Sequence, residues 1–216
     1  TDEQYQQKLK TNIEKYLNEL EQDIYEQPSD EWHTKMAKEV IDDWIPKLDK
    51  CESVLDVGCG SGFCMSMFED FGIDYFGITF GDDFKKSLFK GDKIFDCNFS
   101  FVCWDDNAID LIFSRHSLEH SPMPLLTLME WHRVAKKYLC LIMPKPGAFG
   151  FGGRNHYSVL TVEQIKFLLD RSGWEIMWQN HKTPEEYRFM CKKVPRVFNP
   201  EIINYKPEEQ CDRITK

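Results

Sequence analysis

No stretch of this 216-residue chain approaches the roughly 18 consecutive apolar residues that a membrane-crossing helix needs, which excludes a helical membrane span. The opening residues, TDEQYQQKLK, lack the basic start and apolar middle of a secretory leader, so a cytoplasmic location is expected. Positive charge is scarce: 27 Lys and Arg stand against 36 Asp and Glu, for a net charge of −9. Such a chain repels polyanions, and no Lys/Arg stripe forms to contact phosphates, so nucleic acid is a disfavoured partner. Lys192, Lys193 and Arg196 read as solvated surface. Cysteine is present at eight positions (Cys51, Cys59, Cys64, Cys97, Cys103, Cys140, Cys191 and Cys211) but never as C-x-x-C pairs or with zinc-ribbon spacing. Reduced thiols are therefore expected rather than disulfides or metal ligands. Internal repeats and low-complexity tracts are also lacking.

What remains suits one globular domain with a substantial core: 42% of residues are hydrophobic and sixteen are Phe. The expected division is an N-terminal helical flank or cap over 1–50, a core over 51–193 and a tail over 194–216. Apolar residues at helical intervals (Tyr5, Leu9, Ile13, Tyr16, Leu17, Leu20, Ile24) predict an amphipathic helix from 2 to about 26, ended by Gln27, Pro28 and Ser29. A second helix is expected over 30–48, and both are expected to pack against the sheet with a partial lid role. Strands are predicted at 54–57, 75–79, 93–95, 109–114 and 138–143. A helix over 63–71 closes at Gly72. Another runs from Pro122 to about Val134, with Ser121 as cap and Pro122 at the first helical position. Thr161 and Gln164 form a capping-box signature for a helix that stops at Gly173, and two late strands follow at 174–180 and 187–192. Strands alternating with helices imply a parallel, doubly wound α/β sheet.

The most informative segment is VLDVGCGSG, Val54 to Gly62. A β-type run delivers the acid Asp56, and Gly58, Gly60 and Gly62 then let the chain turn sharply and bring bare backbone against a ligand. The dinucleotide pattern G-x-G-x-x-G fails, because position 63 is Phe63. The motif D-x-G-x-G-x-G resembles instead the first motif of the class I S-adenosylmethionine-dependent methyltransferases of small-molecule type. The resemblance spans roughly Val54 to Cys191. It implies a seven-stranded Rossmann-like sheet ending in an antiparallel hairpin, and S-adenosylmethionine as cofactor, with S-adenosylhomocysteine as product.

Ligands of open α/β sheets bind beyond the carboxyl ends of the strands. Asp56, with Gly58, Cys59, Gly60 and Gly62, is expected to fix loop amides or the cofactor's ammonium group. The family commonly places an acid after the next strand. Here Thr79 stands there, so either Thr79 bonds a ribose oxygen or Asp82 or Asp83 reaches in. Asn98 aligns with the family's adenine-side Asp, with Phe99 or Trp104 covering the ring and Asp96 as an alternative partner. In SRHSLEH, Ser114 falls on the cofactor side and His116 is the leading catalytic candidate, a base that Glu119 could orient. This segment lacks the D/N-P-P-Y/F sequence of DNA amino-methylating enzymes. His116 and His120 could pair on a helical face for a metal, but no third ligand accompanies that spacing, and no metal is expected. The glycine-rich segment 144–158 reads as an acceptor-side lid, with Arg154, His156 and Tyr157 as substrate contacts and His156 also a catalytic candidate. The expected activity is methyl transfer to oxygen, nitrogen or carbon of a small or medium-sized acceptor. Alternatives are a catalytically idle cofactor-binding subunit and, further off, a nucleotide-dependent oxidoreductase.

Overall fold

The computed structural model describes residues 2–21, 31–87, 89, 91–147, 153 and 155–196. Seven strands form one sheet in the order β3-β2-β1-β4-β5-β7-β6. They are β1 (Ser53–Val57), β2 (Asp74–Thr79), β3 (Ile94–Asp96), β4 (Ile109–Arg115), β5 (Ala135–Pro144), β6 (Trp174–Asn180) and β7 (Glu186–Lys193). The first five are parallel, and β7 runs antiparallel to both β5 and β6. This is the doubly wound α/β sheet with a closing hairpin that the motif implied.

Strand side chains alternate between two buried layers, as the period of a β-strand requires. Leu55, Val57, Ile112, Leu139, Leu141 and Phe189 face a layer covered by α5 (Pro124–Val134) and α6 (Val162–Ser172), which contribute Leu128, Trp131, Ile165 and Leu169. Val54, Tyr75, Leu111, Phe113, Ile142 and Met190 face α2 (Glu31–Trp44) and α3 (Met65–Glu69), through Val40, Ile41, Trp44 and Phe68. Strands covered on both faces explain the near-continuous apolar runs seen in the sequence. The capping box forms as predicted: Thr161 Oγ1 accepts from the Gln164 amide, the Gln164 side chain accepts from the Thr161 amide, and Gly173 takes a left-handed φ of 89° past the helix end.

Three expectations need correction. Helix α5 begins at Pro124, not Pro122. Ser121 does not cap it, because its hydroxyl accepts from the Met123 amide two residues on and pairs with Thr127 Oγ1 at 2.7 Å, a local turn that competes with capping. The helix after the glycine turn is shorter than predicted, Met65–Glu69, because residues 61–64 are still in turns. Helix α1 (Asp2–Glu21) has the predicted period, yet its stripe is not packed down: Tyr5 and Tyr16 are 61% and 55% exposed. Its predicted end at Gln27, Pro28 and Ser29 lies outside the described residues, as do residues 197–216 of the tail. No helix among the described residues is long and apolar enough to cross a membrane.

Candidate active site

The turn after β1 carries three left-handed glycines, Gly58 (φ 76°), Gly60 (φ 56°) and Gly62 (φ 94°), a conformation that costs an L-residue roughly 1–2 kcal/mol. Ile78 at the end of β2 pins it: its carbonyl accepts from the Gly58 amide at 2.9 Å and the Cys59 amide at 3.1 Å. These two amides are therefore tied by backbone and not by Asp56, which leaves the other expected role of Asp56, toward the cofactor's ammonium group. The Cys59 side chain turns inward: a Cβ on Gly77 would lie 2.6 Å from its sulfur, so the absent side chain of Gly77 makes its room. Two of the glycines are also demanded by packing, since a Cβ on Gly58 would lie 2.1 Å from Ser117 Oγ and one on Gly62 would lie 2.7 Å from Ile94 Cδ1. The Gly58 backbone remains exposed at the carboxyl edge of the sheet. Gly58→Ala is expected to cost about 2–4 kcal/mol, from the left-handed strain plus displacement of Ser117 from its 2.8 Å bond to the Val57 carbonyl. Urea unfolding measures that cost.

Asp56 is buried beneath the turn and accepts from the Tyr75 hydroxyl at 2.8 Å. Burial pushes its pKa up to about 7, against the lowering effects of the Tyr75 bond and the Arg115 charge. Burial also pushes the Tyr75 hydroxyl and the Cys59 thiol well above their usual ranges, with the Asp56 charge adding to both shifts. The seven described cysteines are all free thiols.

At the ends of β2 and β3 the structure brings together Thr79, Phe80, Asn98 and Phe99. Thr79 is buried and paired in register with Asp96, which is exposed. Asp82 forms an exposed ion pair with Lys85 at 2.9 Å, and Asp83 is half-buried in the first turn of α4 (Gly81–Lys86). Asn98 Oδ1, expected on the adenine side, accepts from the Ser100 amide at 2.7 Å, which uses one of its two lone pairs. Phe99 lies in the core and stacks on Phe80, with ring centroids 6.1 Å apart and planes 18° apart. Trp104 packs edge-on against Phe76 and Phe95, away from that stack. Phe80 was not picked out from the sequence, although an aromatic residue directly after a strand end was the available signal.

At the end of β4, Ser114 is wholly buried between Val57 and Leu141 of the flanking strands, and its hydroxyl has no hydrogen-bond partner among the described residues. The next turn holds His116 at φ 52°, an uncommon conformation for a non-glycine residue and one that clusters at functional sites. Glu119 does not orient it. Glu186, fully buried at the start of β7, places Oε1 3.1 Å from His116 Nε2 and accepts from Arg115 at 3.0 and 2.7 Å, while its Oε2 accepts from Arg188 at 3.1 Å. Burial works to raise the Glu186 pKa, but the His116 bond and the Arg115, His116 and Arg188 charges outweigh it and hold the carboxyl down at about 2.

Glu119 points elsewhere, into the short helical turn Leu118–His120, where it is buried and its pKa is pushed up to about 8 by burial. There it meets His120 and His156, whose rings lie 4.8 Å apart. His116 and His120 thus do not share a helical face. His156 and Tyr157 are half-buried on the loop after β5, and Arg154 lies outside the described residues.

Residues 55–141 match the family described as "Methyltransferase domain". No curated protein matches the chain in sequence. A SAM dependent methyltransferase from Archaeoglobus fulgidus superposes with a TM-score of 0.59 at 18% identity, over 74% of this chain and 94% of that one. One from Aquifex aeolicus gives 0.57 at 18%, over 77% and 100%. The [4+2]-cyclase SpnF gives 0.60 at 19%, over 74% and 82%. Residues 55–141 are thus similar to a methyltransferase domain, and the sheet has the class I Rossmann-like fold.

Proposed function

We propose that this chain transfers a methyl group from S-adenosylmethionine to an oxygen or nitrogen of a small or medium-sized acceptor, with His116 as the base. The observation that carries this is the adjacency of two units at the carboxyl edge of the sheet: the glycine turn and the strained His116 turn, joined where Ser117 bonds the Val57 carbonyl beside Gly58. The residues fit the cofactor. Exposed Gly58 backbone and the Asp56 carboxyl beneath it suit the amino-acid end, Thr79 the ribose, and the stacked Phe80 and Phe99 the adenine. When bound, the sulfonium supplies an activated methyl group.

The protein's part is positioning and proton removal. Glu186 Oε1 lies 3.1 Å from His116 Nε2 and holds a negative charge beside the ring, which favours the imidazole taking a proton from the acceptor. Arg115 and Arg188 keep Glu186 ionised, so it also stabilises the imidazolium that forms. His116→Ala is expected to lower kcat by about 10²–10⁴-fold while leaving cofactor affinity within a few-fold of wild type. Radiolabel transfer from methyl-tritiated cofactor across a panel of phenols, carboxylic acids and amines measures kcat, and calorimetry measures affinity. Tight cofactor binding with no transfer to any acceptor would favour the idle cofactor-binding reading. Whether the protein works in the cytoplasm and on a free small molecule belongs to the same proposal; the acidic composition supports an acceptor other than nucleic acid.

A further inference from the structure

Beside His116, three side chains from two distant parts of the chain converge: Glu119, His120 and His156, with one ligand-type atom of each within 4.8 Å of the others. We infer that they form a divalent-metal site of the zinc class, with an open coordination position for an acceptor oxygen or nitrogen.

Four features of the structure carry this. First, Glu119 is 1% exposed, and its Oε2 has no hydrogen-bond donor among the described residues. A buried carboxylate oxygen without a donor is costly, and a cation removes that cost.

Second, His120 is already set up as a ligand. Its Nδ1 lies 3.1 Å from the Asn155 carbonyl, which can only accept, so the ring proton sits on Nδ1 and the lone pair on Nε2. A backbone carbonyl behind the far nitrogen is the outer-shell arrangement that metal-ligating histidines use.

Third, the His156 loop is built to hold this approach. The Ser158 amide donates to the Glu119 carbonyl at 2.9 Å, the Ser158 hydroxyl donates to the Ser121 carbonyl, and the His156 amide donates to the Gly153 carbonyl at 3.1 Å. The His156 ring lies over Gly153 so closely that a Cβ there would stand 2.7 Å from it. Ser158 thus ties the loop to Glu119 and Ser121 by bonds that do not involve the three ligand atoms.

Fourth, the donor set discriminates between metals. Two imidazoles and one carboxylate suit Zn²⁺ and its first-row neighbours, whereas Mg²⁺ and Ca²⁺ prefer all-oxygen shells. Three protein ligands leave a fourth position, and His120 and His156 are half-buried. Glu119 and His120 follow His116 three and four residues on in the chain, and the inference places the acceptor atom in that fourth position. The role given to the open position rests on the methyl-transfer reading; the metal site does not.

The test uses tag-free protein, stripped with chelator and titrated with Co²⁺ as a visible probe. One Co²⁺ per chain is expected, with d–d absorption of a four- or five-coordinate site that equimolar Zn²⁺ abolishes. His156→Ala is expected to weaken Co²⁺ binding more than about 100-fold, beyond what loss of an outer-shell partner causes. His156→Gln provides a second, bulk-preserving variant at a half-buried position. Circular dichroism of the metal-free proteins should superimpose. Absence of a visible band, or equal Co²⁺ affinity in both variants and wild type, overturns the inference. Calorimetry with S-adenosylmethionine on the same samples keeps the two claims apart: cofactor binding without metal binding removes the metal site and leaves the methyl-transfer reading intact.

Discussion

Cofactor affinity should fall by as much as ~30-fold when the pH is lowered from 8 to 5.5, because Asp56 gains a proton over that range. The carboxyl is buried beneath the glycine turn, and burial places its pKa at about 7, where an exposed Asp would titrate near 3.8. At pH 8 the free protein therefore holds a carboxylate under the turn, and at pH 5.5 a neutral acid. A ligand that turns its ammonium group toward the turn is attracted only by the former, and re-ionising the acid at pH 5.5 costs about 2 kcal/mol. Asp56→Asn should bind weakly at every pH and flatten the profile. Tyr75→Phe removes the hydroxyl that favours the charged form, so it should move the midpoint to higher pH. The linked effect on folding runs the other way from the usual acidic group. The folded pKa lies above the unfolded one, so the stabilisation is fully present below about pH 3.8 and is lost as pH rises through about 7. The difference between 3.8 and about 7 corresponds to about 4 kcal/mol in total. Calorimetric affinities between pH 5.5 and 8 decide the matter, and a flat profile for the wild type would refute this assignment of Asp56.

Glu186→Ala should be the most destabilising single substitution near the site, by about 3–5 kcal/mol, which corresponds to a fall in Tm of roughly 10–15 °C for a chain of this size. Glu186 is fully buried and joins Arg115, Arg188 and His116, and the two arginine side chains are 8% and 7% exposed. Removing the carboxylate leaves two buried guanidinium groups without their shared counter-charge. Glu186→Gln keeps the volume and some hydrogen bonds, so it should cost less in stability. Yet it should still lower kcat, since the His116 imidazolium loses its anionic partner. The pH dependence carries a sign opposite to that of Asp56. Glu186 has a folded pKa of about 2, below the usual carboxylate range, so its contribution is present above about pH 4.5 and is lost as the pH falls through 2. Thermal unfolding at pH 7 of wild type and both variants measures the first effect, and a Tm change under about 3 °C for Glu186→Ala would contradict it.

The difference between what could and could not be read in the sequence follows the range of the interactions. The glycine turn was legible because left-handed φ values at Gly58, Gly60 and Gly62 are a local demand that only the residue type satisfies. The parallel sheet followed from alternation of strands and helices, and its closing hairpin from the resemblance. The Glu186 network was not legible, because His116 and Glu186 are 70 residues apart and meet only through register: Arg115 lies opposite Ile142 of β5, which lies opposite Arg188 of β7. Nothing local in HKTPEEYRF says which of Glu185 and Glu186 turns inward. Likewise, the spacing of His116 and His120 allowed a helical pair without a third ligand, whereas the left-handed φ of His116 breaks any such face and His156 arrives from another loop. Periodicity identified α1 correctly as a helix but carried no information on what covers it, and its Tyr5 and Tyr16 are exposed.

The central claim is that the bare turn after β1 is the seat of a sulfonium nucleoside. Crystals grown with S-adenosylhomocysteine, at a concentration that saturates binding in calorimetry, test it most directly. Density is expected for the amino-acid end over the Gly58 backbone above Asp56, with the adenine against Phe80 and Phe99. Density for the nucleoside at any other edge of the sheet, with the Gly58 turn left bare, would contradict it.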